Sequence, residues 1–136
     1  MTANPGASVG THLLQLRWRV DATSDPVLDA AFNEWYDDEH VPELLALPGF
    51  LAARRYALVP WELASPDGWP YLTSYELADA AALQSPEYGR SATSPTERTM
   101  RIGGAVPRAR QVWRQRTPPG GVLSSGGVVD AASAGR

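Results

Sequence analysis

The sequence contains no cysteine and no lysine, and it has only two histidines, His12 and His40. Without cysteine the chain has no thiol nucleophile, no disulfide, and no thiolate ligand for an iron–sulfur cluster or a zinc finger. Because all 12 basic residues are arginine, a lysine Schiff base and a Walker-type phosphate loop are also excluded. Two histidines cannot form a three-histidine metal site, and their spacing gives no support to a two-histidine-one-carboxylate site. We therefore predict no metal site.

The chain also lacks a strongly basic character and a long apolar run. Its net charge of −3 and pI near 5.3 argue against non-specific binding to nucleic acid. No segment approaches the roughly 18–20 apolar residues that cross a bilayer, and the first ten residues do not read as a signal peptide. We expect a cytoplasmic protein that binds neither nucleic acid nor a membrane.

The length of 136 residues fits one domain with a hydrophobic core. Residues 1–10 are small and polar, which predicts a flexible tail, and the Gly-, Pro-, Ser- and Ala-rich residues 117–136 predict a disordered one. The domain is expected over residues 11–116.

Alternating and helical patterns within this domain give the order βαββαβ. This order predicts an α+β, ferredoxin-like fold, in which a four-stranded antiparallel sheet carries both helices on one face. The strands are predicted at 11–20, 50–59, 71–77 and 107–116, with helical regions at 26–47 and 79–104.

The opposite face of the predicted sheet is too apolar to remain in water. We expect a second copy of the chain to cover it, giving a homodimer. The residues assigned to this face are Leu13, Leu51, Ala53, Ala57, Val59 and Leu72.

Chemistry is most concentrated between Phe32 and Pro42, a stretch of eleven residues with four acids, three aromatic side chains and His40. Phe32 and Trp35 fall on one helical stripe, and Tyr36 precedes His40 by one turn. Pro42 lacks an amide hydrogen and predicts a helix break at residues 39–41. A histidine and a carboxylate at such a break, beside aromatic rings, indicate a small-molecule site.

These residues resemble a known group, the dimeric α/β-barrel superfamily of ferredoxin-like proteins. The pattern Glu39-His40-Val41-Pro42 followed by Leu47-Pro48-Gly49-Phe50 is similar to that of EthD-like proteins and muconolactone methylisomerases. Further matching segments are Trp35 to Asp38, Arg54-Arg55-Tyr56, Tyr75-Glu76 and Ser85-Pro86-Glu87-Tyr88. The resemblance implies two sheets closing into one barrel, with a ligand between the sheet and the helices of each subunit.

The resemblance also implies which histidines lie in the site. In methylisomerase-like members the histidine of this pattern lies there, which here is His40. In plant polyketide cyclases of this fold a histidine begins strand one and points into the pocket, as His12 would. The chain departs from those cyclases in the second helical region, where Ala82, Ser85 and Tyr88 stand in place of active-site histidine and tyrosine.

Each catalytic candidate has a structural alternative. His40 is either a general acid/base or a histidine that hydrogen-bonds the last helical carbonyls. Glu39 points inward with a raised pKa if the helix reaches it, and into solvent if the helix has already broken. Tyr36 is a candidate hydrogen-bond donor. His12 is either a pocket residue or a core histidine.

The aromatic candidates line either a pocket or simply the core. The arginines of strand four, Arg108, Arg110, Arg114 and Arg116, alternate on one face. We expect them to pair with the acidic run from Glu34 to Glu43, although one of them, or Arg54 or Arg55, is a candidate to orient a substrate carboxylate or enolate. The predicted substrate-binding residues are His12, Trp18, Phe32, Trp35, Arg54, Tyr56, Tyr75, Ser85 and Tyr88.

The sequence therefore predicts a cofactor-independent enzyme, a cyclase, isomerase or dehydratase, that acts on a hydrophobic, polyketide-like or aromatic metabolite. Two alternatives remain at this point: a cofactor-free monooxygenase of the same fold, and a non-catalytic ligand-binding or dimerisation protein.

Overall fold

The structure is a computed structural model and describes residues 10–117. The predicted tails lie outside this range except for residues 10 and 117. Within it, no helix has the length and apolar character needed to cross a membrane.

Four antiparallel strands form one sheet: β1 (His12–Trp18), β2 (Phe50–Ala57), β3 (Tyr71–Leu77) and β4 (Arg108–Arg114). Their spatial order is β2-β3-β1-β4. This order, with β1 and β3 in the centre and helical segments after β1 and β3, confirms the predicted α+β, ferredoxin-like fold.

Side chains cap the first turns of α1 and α3. α1 (Pro26–Trp35) begins after Asp25, whose carboxylate accepts a hydrogen bond from the Leu28 amide at 3.1 Å. α2 (Val41–Leu45) follows it closely, and α3 (Pro86–Thr93) begins after Ser85. The remaining helical turns are a 3₁₀ turn at Pro60–Glu62, another at Ala80–Gln84, and a π-helical turn at Thr99–Gly103.

The predicted helix break at residues 39–41 is wrong. A π-helical turn over Tyr36–His40 joins α1 to α2 without interruption, and the Val41 amide donates to the Tyr36 carbonyl, five residues earlier. Pro42 has no amide hydrogen, and in an α-helix its ring would collide with the Asp38 carbonyl. The wider π turn removes that conflict, so the helix continues past Pro42 instead of ending.

The core lies between the sheet and the helices and is rich in aromatic residues. Trp18, Phe32, Trp35, Tyr36 and Tyr75 are all at most 1% exposed. Burying a large side chain of this kind contributes about 1.5–3 kcal/mol to folding, so this cluster is the main stabilising unit.

Part of the outer sheet face was assigned incorrectly from alternation. A bulge between Phe50 and Ala52 shifts the register of β2, so that Ala53 pairs with Tyr75 and Ala57 with Tyr71, on the side of the helices. Val59 lies beyond the end of β2. The face turned away from the helices instead carries Leu13, Ala52, Tyr56, Leu72 and Trp113.

Candidate functional site

The π-helical turn determines where His40 lies. Because this turn closes hydrogen bonds over five residues, it brings His40 over Trp35, whereas an α-helix would align it with Tyr36. The His40 and Trp35 rings are stacked, with centroids 4.6 Å apart and an interplanar angle of 22°. The Tyr36 ring meets His40 edge-on at 5.0 Å. The imidazole is thereby held by aromatic contacts.

The His40 side chain is only 14% exposed. Its Nδ1 atom is fully buried and has no hydrogen-bond partner among residues 10–117. The nearest carboxylate oxygen, Glu43 Oε1, is 3.8 Å away, beyond hydrogen-bonding distance. A buried polar atom without a partner is rare in native proteins, and a catalytic role is one of its recognised explanations.

Burial, together with the smaller effect of the positive charge of Arg108, lowers the pKa of His40 to about 4, and the negative charge of Glu39 partly opposes this shift. The imidazole is therefore neutral near pH 7, and one of its two nitrogens is an acceptor.

Two cavities adjoin this imidazole, and both are lined by His40 and Arg108. The larger, about 330 Å³, lies between the start of β4 and the turn after α3. The smaller, about 140 Å³, lies between β4, α2 and α3. The larger is lined by Trp18, Trp35, His40, Thr99, Met100, Gly103, Gly104, Val106 and Arg108; the smaller by Leu14, Leu16, His40, Glu43, Leu44, Tyr88, Ser91, Ala92, Arg108 and Arg110.

Glu39 faces the helical turn after α3. Its carboxylate accepts hydrogen bonds from the hydroxyls of Thr96 and Thr99, the latter at 3.1 Å, and lies 3.8 Å from Arg98. The Thr99 hydroxyl in turn accepts from Trp35 Nε1 at 3.0 Å. The helix does reach Glu39, but its carboxylate is 25% exposed and anchors Trp35 through Thr99.

Tyr36, Tyr75 and Phe32 lie beneath the cavities and line neither of them. Trp18 Nε1 donates to the Tyr36 hydroxyl at 3.1 Å, and the Tyr75 hydroxyl donates to it at 3.3 Å. Burial raises the pKa of both tyrosines. We predicted these residues to be catalytic or substrate-binding. They instead form the part of the core on which Trp18 packs.

Two predicted binding residues are on the wrong side of the sheet. Arg54 and Tyr56 occupy the face turned away from the helices. Arg54 Nη1 lies 3.5 Å from Glu76 Oε1, and Tyr56 is 50% exposed. The β2 bulge sets this orientation, which alternation alone could not show.

His12 and Ser85 also lie away from both cavities. His12 begins β1, and its Nδ1 is 2.8 Å from the Thr11 hydroxyl. Ser85 caps α3 by accepting a hydrogen bond from the Tyr88 amide at 3.0 Å. Of the predicted binding residues, Trp18, Trp35 and Tyr88 do line a cavity, beside His40.

The structure adds residues that the sequence did not single out. Glu43, one helical turn after His40, was detectable from that spacing. Gly103 is another: a Cβ there would lie 2.9 Å from the Trp35 ring, so the absence of a side chain leaves room for the indole. For Arg108 and Arg110 alternation was visible, but not which face they occupy.

The predicted pairing of the strand-four arginines with the acidic run is not seen within the subunit. The described ion pairs of that run use Arg55, which is 2.9 Å from Asp37, and Arg98, which lies near Glu34, Asp38 and Glu39. Arg108 is left beside the cavities, with its guanidinium 5.8 Å from the centre of the Trp18 ring.

No cluster of three or more histidine, cysteine or acidic side chains suited to a metal ion occurs in residues 10–117.

No family model and no curated protein matches the sequence. Solved structures are similar to it in fold. An ethyl tert-butyl ether D (EthD) family protein of Bacillus halodurans is 19% identical, with a TM-score of 0.50 over 77% of this chain and 97% of its own. A monooxygenase of Streptomyces coelicolor from the gene ActVA-Orf6, in complex with nanaomycin D, is 17% identical, with a TM-score of 0.53 over 85% and 93%.

A third structure, a dimeric ferredoxin-like protein of an uncultured marine organism, is 9% identical, with a TM-score of 0.52 over 79% of this chain and 95% of its own. At these identities the likeness concerns the fold. It confirms the predicted α+β, ferredoxin-like fold.

Proposed function

We propose that the protein is a small-molecule enzyme that moves a proton on a hydrophobic, oxygenated aromatic or polyketide-like metabolite, without a cofactor. One observation carries this proposal. The buried imidazole of His40, whose Nδ1 atom has no hydrogen-bond partner, lies beside Arg108, and these two residues line both cavities. His40 is the proton acceptor, and Arg108 stabilises the oxyanion that forms.

The charges in this site favour a proton transfer that forms the His40 imidazolium and the substrate anion together. Neutral His40 takes a proton from an enol, a phenol or an acidic carbon, which leaves a negative charge on the substrate oxygen. That charge lies near the Arg108 guanidinium and beside the new imidazolium. Its attraction raises the pKa of His40 above the value in the ligand-free protein. A general base of this kind accelerates proton transfer by about 10²- to 10⁴-fold.

The walls of the larger cavity suit a flat apolar compound. Trp18 and Trp35 provide indole surfaces, and a volume of about 330 Å³ is at the lower end of small-molecule pockets, which span roughly 300–1,000 Å³. The Streptomyces coelicolor monooxygenase of similar fold was crystallised with nanaomycin D, which supports a small organic molecule as the ligand here.

A homodimer is part of the proposal. Leu13 and Trp113 are 39% and 49% exposed and lie side by side on the outer sheet face. A second sheet packed on that face would remove them from water. A protein of similar fold is described as dimeric, which supports this arrangement. We propose a cytoplasmic homodimer.

The second candidate is a cofactor-free monooxygenase, and the Streptomyces coelicolor enzyme of similar fold favours it. It would begin with the same deprotonation by His40, after which the substrate anion reacts with O₂. The third candidate is a binding protein that has no reaction.

A screen of hydroxynaphthalenes and aromatic 1,3-diketones, run in air and under nitrogen and analysed by mass spectrometry, separates the three. Isomerisation or loss of water under both gases supports acid–base chemistry. A product that gains oxygen only in air supports the monooxygenase, and binding without any product supports the non-catalytic protein. His40→Gln is the matched control, because glutamine forms hydrogen bonds but does not titrate near neutral pH.

A further inference from the structure

Of the three arginines that β4 carries on the helix side, Arg108 and Arg110 line the cavities beside His40. Arg108 pairs in register with Trp18 and Arg110 with Leu16, and both partners are buried under the helices. The two arginines therefore leave the sheet on the helix side. Both line the smaller cavity, whereas only Arg108 also lines the larger one.

These two guanidiniums have no carboxylate within ion-pair distance among residues 10–117. The described pairs belong to His40 and to the arginines at positions 54, 55 and 98. Arg110 Nη2 donates only a long hydrogen bond, 3.4 Å, to the neutral hydroxyl of Tyr88. The positive charge of Arg110 is therefore available to a ligand.

Glu43 is the opposing charge in the same cavity. Burial raises its pKa, and so does the nearby Glu39, which shows that its carboxylate is poorly compensated where it lies. Two guanidiniums against one such carboxylate leave the smaller cavity positive, which favours an anionic group.

The size of the smaller cavity limits which part of a ligand can enter it. The smaller cavity, about 140 Å³, is well below the roughly 300 Å³ of a pocket for a whole small molecule. A cavity of about 150 Å³ holds a single benzene ring, so the smaller cavity has no room for a fused ring system. A short polar arm fits there.

We infer that the substrate is a planar aromatic compound with a short arm ending in a carboxylate, whose ring lies against Trp18 and Trp35 while Arg110 binds the carboxylate in the smaller cavity. This inference rests on the proposed function, because it places the substrate across the same His40–Arg108 pair. Arg110 is then the specificity residue. A guanidinium can bind a carboxylate through two parallel hydrogen bonds, which fixes the direction of the arm.

The two arginines have different proposed roles because they differ in which cavities they line. Arg110 touches only the smaller cavity and binds the arm. Arg108 lines both cavities and remains beside His40, where the substrate oxygen is deprotonated. Anchoring the arm would hold the reacting oxygen near the imidazole.

Binding of two matched probes to the full-length protein tests the inference. 1-Naphthylacetate and 1-naphthylacetamide have nearly the same shape and differ in charge. By isothermal titration calorimetry we expect the acetate to bind the wild type about 10-fold or more tightly than the amide, with the preference falling as salt increases.

Arg110→Gln should abolish that preference, because the glutamine side chain carries no charge, and Arg110→Lys should retain part of it. Arg114→Gln is the control: Arg114 lies on the same face of β4, outside the lining of either cavity, and its loss should leave the preference intact. Equal binding of the two probes by the wild type, failure of both to bind, or an undiminished preference in Arg110→Gln would each overturn the inference.

The titration needs no turnover, so its failure is separable from failure of the proposed function. A charge preference that depends on Arg110, together with wild-type turnover in His40→Gln, contradicts the proposed proton transfer alone. Equal probe binding together with an inactive His40→Gln contradicts the substrate class alone.

Discussion

Glu43 Oε1 lies 3.8 Å from His40 Nδ1, one helical turn further along the chain. The separation is too long for a hydrogen bond to a neutral imidazole, but protonation of the imidazole to imidazolium would place opposite charges in direct electrostatic contact. Glu43 therefore stabilises the protonated form of His40 but makes no hydrogen bond to the neutral form.

Glu43→Gln should consequently lower kcat by roughly 10-fold with little change in KM, because glutamine removes the charge that stabilises the imidazolium but not the shape of the cavity. Steady-state kinetics on a substrate from the screen measures this. Glu87→Gln, in the first turn of α3, is the control and should behave as the wild type. A normal kcat in Glu43→Gln would show that Glu43 does not assist proton transfer.

The depressed pKa of His40 predicts a pH dependence of stability. Its value of about 4 in the folded protein is below the ordinary 6.5, so between these values the unfolded chain binds more protons. Lowering the pH from 7 to 4.5 should therefore reduce the free energy of unfolding by about 2–3 kcal/mol through this residue alone.

Urea unfolding of the wild type and of His40→Gln at pH 7 and 4.5 isolates that contribution, because other titrating groups are common to both proteins. We expect a smaller loss in the variant. Equal losses in the two proteins would mean that the imidazole is not held neutral by burial.

The hydrogen-bond chain from Trp35 through Thr99 to Glu39 gives a third prediction. Thr99→Val keeps the shape of the side chain but removes the hydroxyl, which leaves the Trp35 Nε1 hydrogen without its acceptor. The expected loss in the free energy of unfolding is about 1–3 kcal/mol.

Thr93→Val is a suitable comparison for chemical denaturation. The Thr93 hydroxyl donates to the Gly89 carbonyl on an exposed part of α3, so its removal should cost little. If the two variants lose the same stability, the Trp35–Thr99–Glu39 chain makes no special contribution.

Sequence patterns predicted the fold where the local signal and the tertiary structure agree. β3 was predicted over its observed range, because strict alternation marks a strand with one buried face. The course of the helix past Pro42 was not predictable, since a proline normally signals an end and a π turn is a rare way to accommodate it.

The site was predicted in part for the same reasons. His40, Trp18 and Trp35 meet at the cavities as expected. Arg54 was placed wrongly because one extra residue in a strand alters its alternation. The role of Arg110 depends on which face of β4 it occupies, which follows only from pairing with β1.

The proposed dimer predicts a dependence on the outer sheet face. Sedimentation at micromolar concentration should give about twice the 14.7 kDa chain mass. Leu13→Arg should shift the protein toward monomer, because a charge would be buried between the two sheets. Val27→Arg, at an 80% exposed position, should leave the mass unchanged. A monomeric wild type would rule out the barrel arrangement.

The most direct prediction concerns His40 itself. If it accepts the substrate proton, both His40→Ala and His40→Gln should reduce turnover by about 10²- to 10⁴-fold. The two variants differ in structure: alanine removes the ring that stacks on Trp35, whereas glutamine retains a polar side chain of similar reach. Loss of turnover in both, with probe binding and dimer mass preserved in the glutamine variant, is the expected outcome. Normal turnover in His40→Gln would mean that the imidazole only packs against Trp35, and Glu43, the carboxylate that lines the smaller cavity, would then be the base to test.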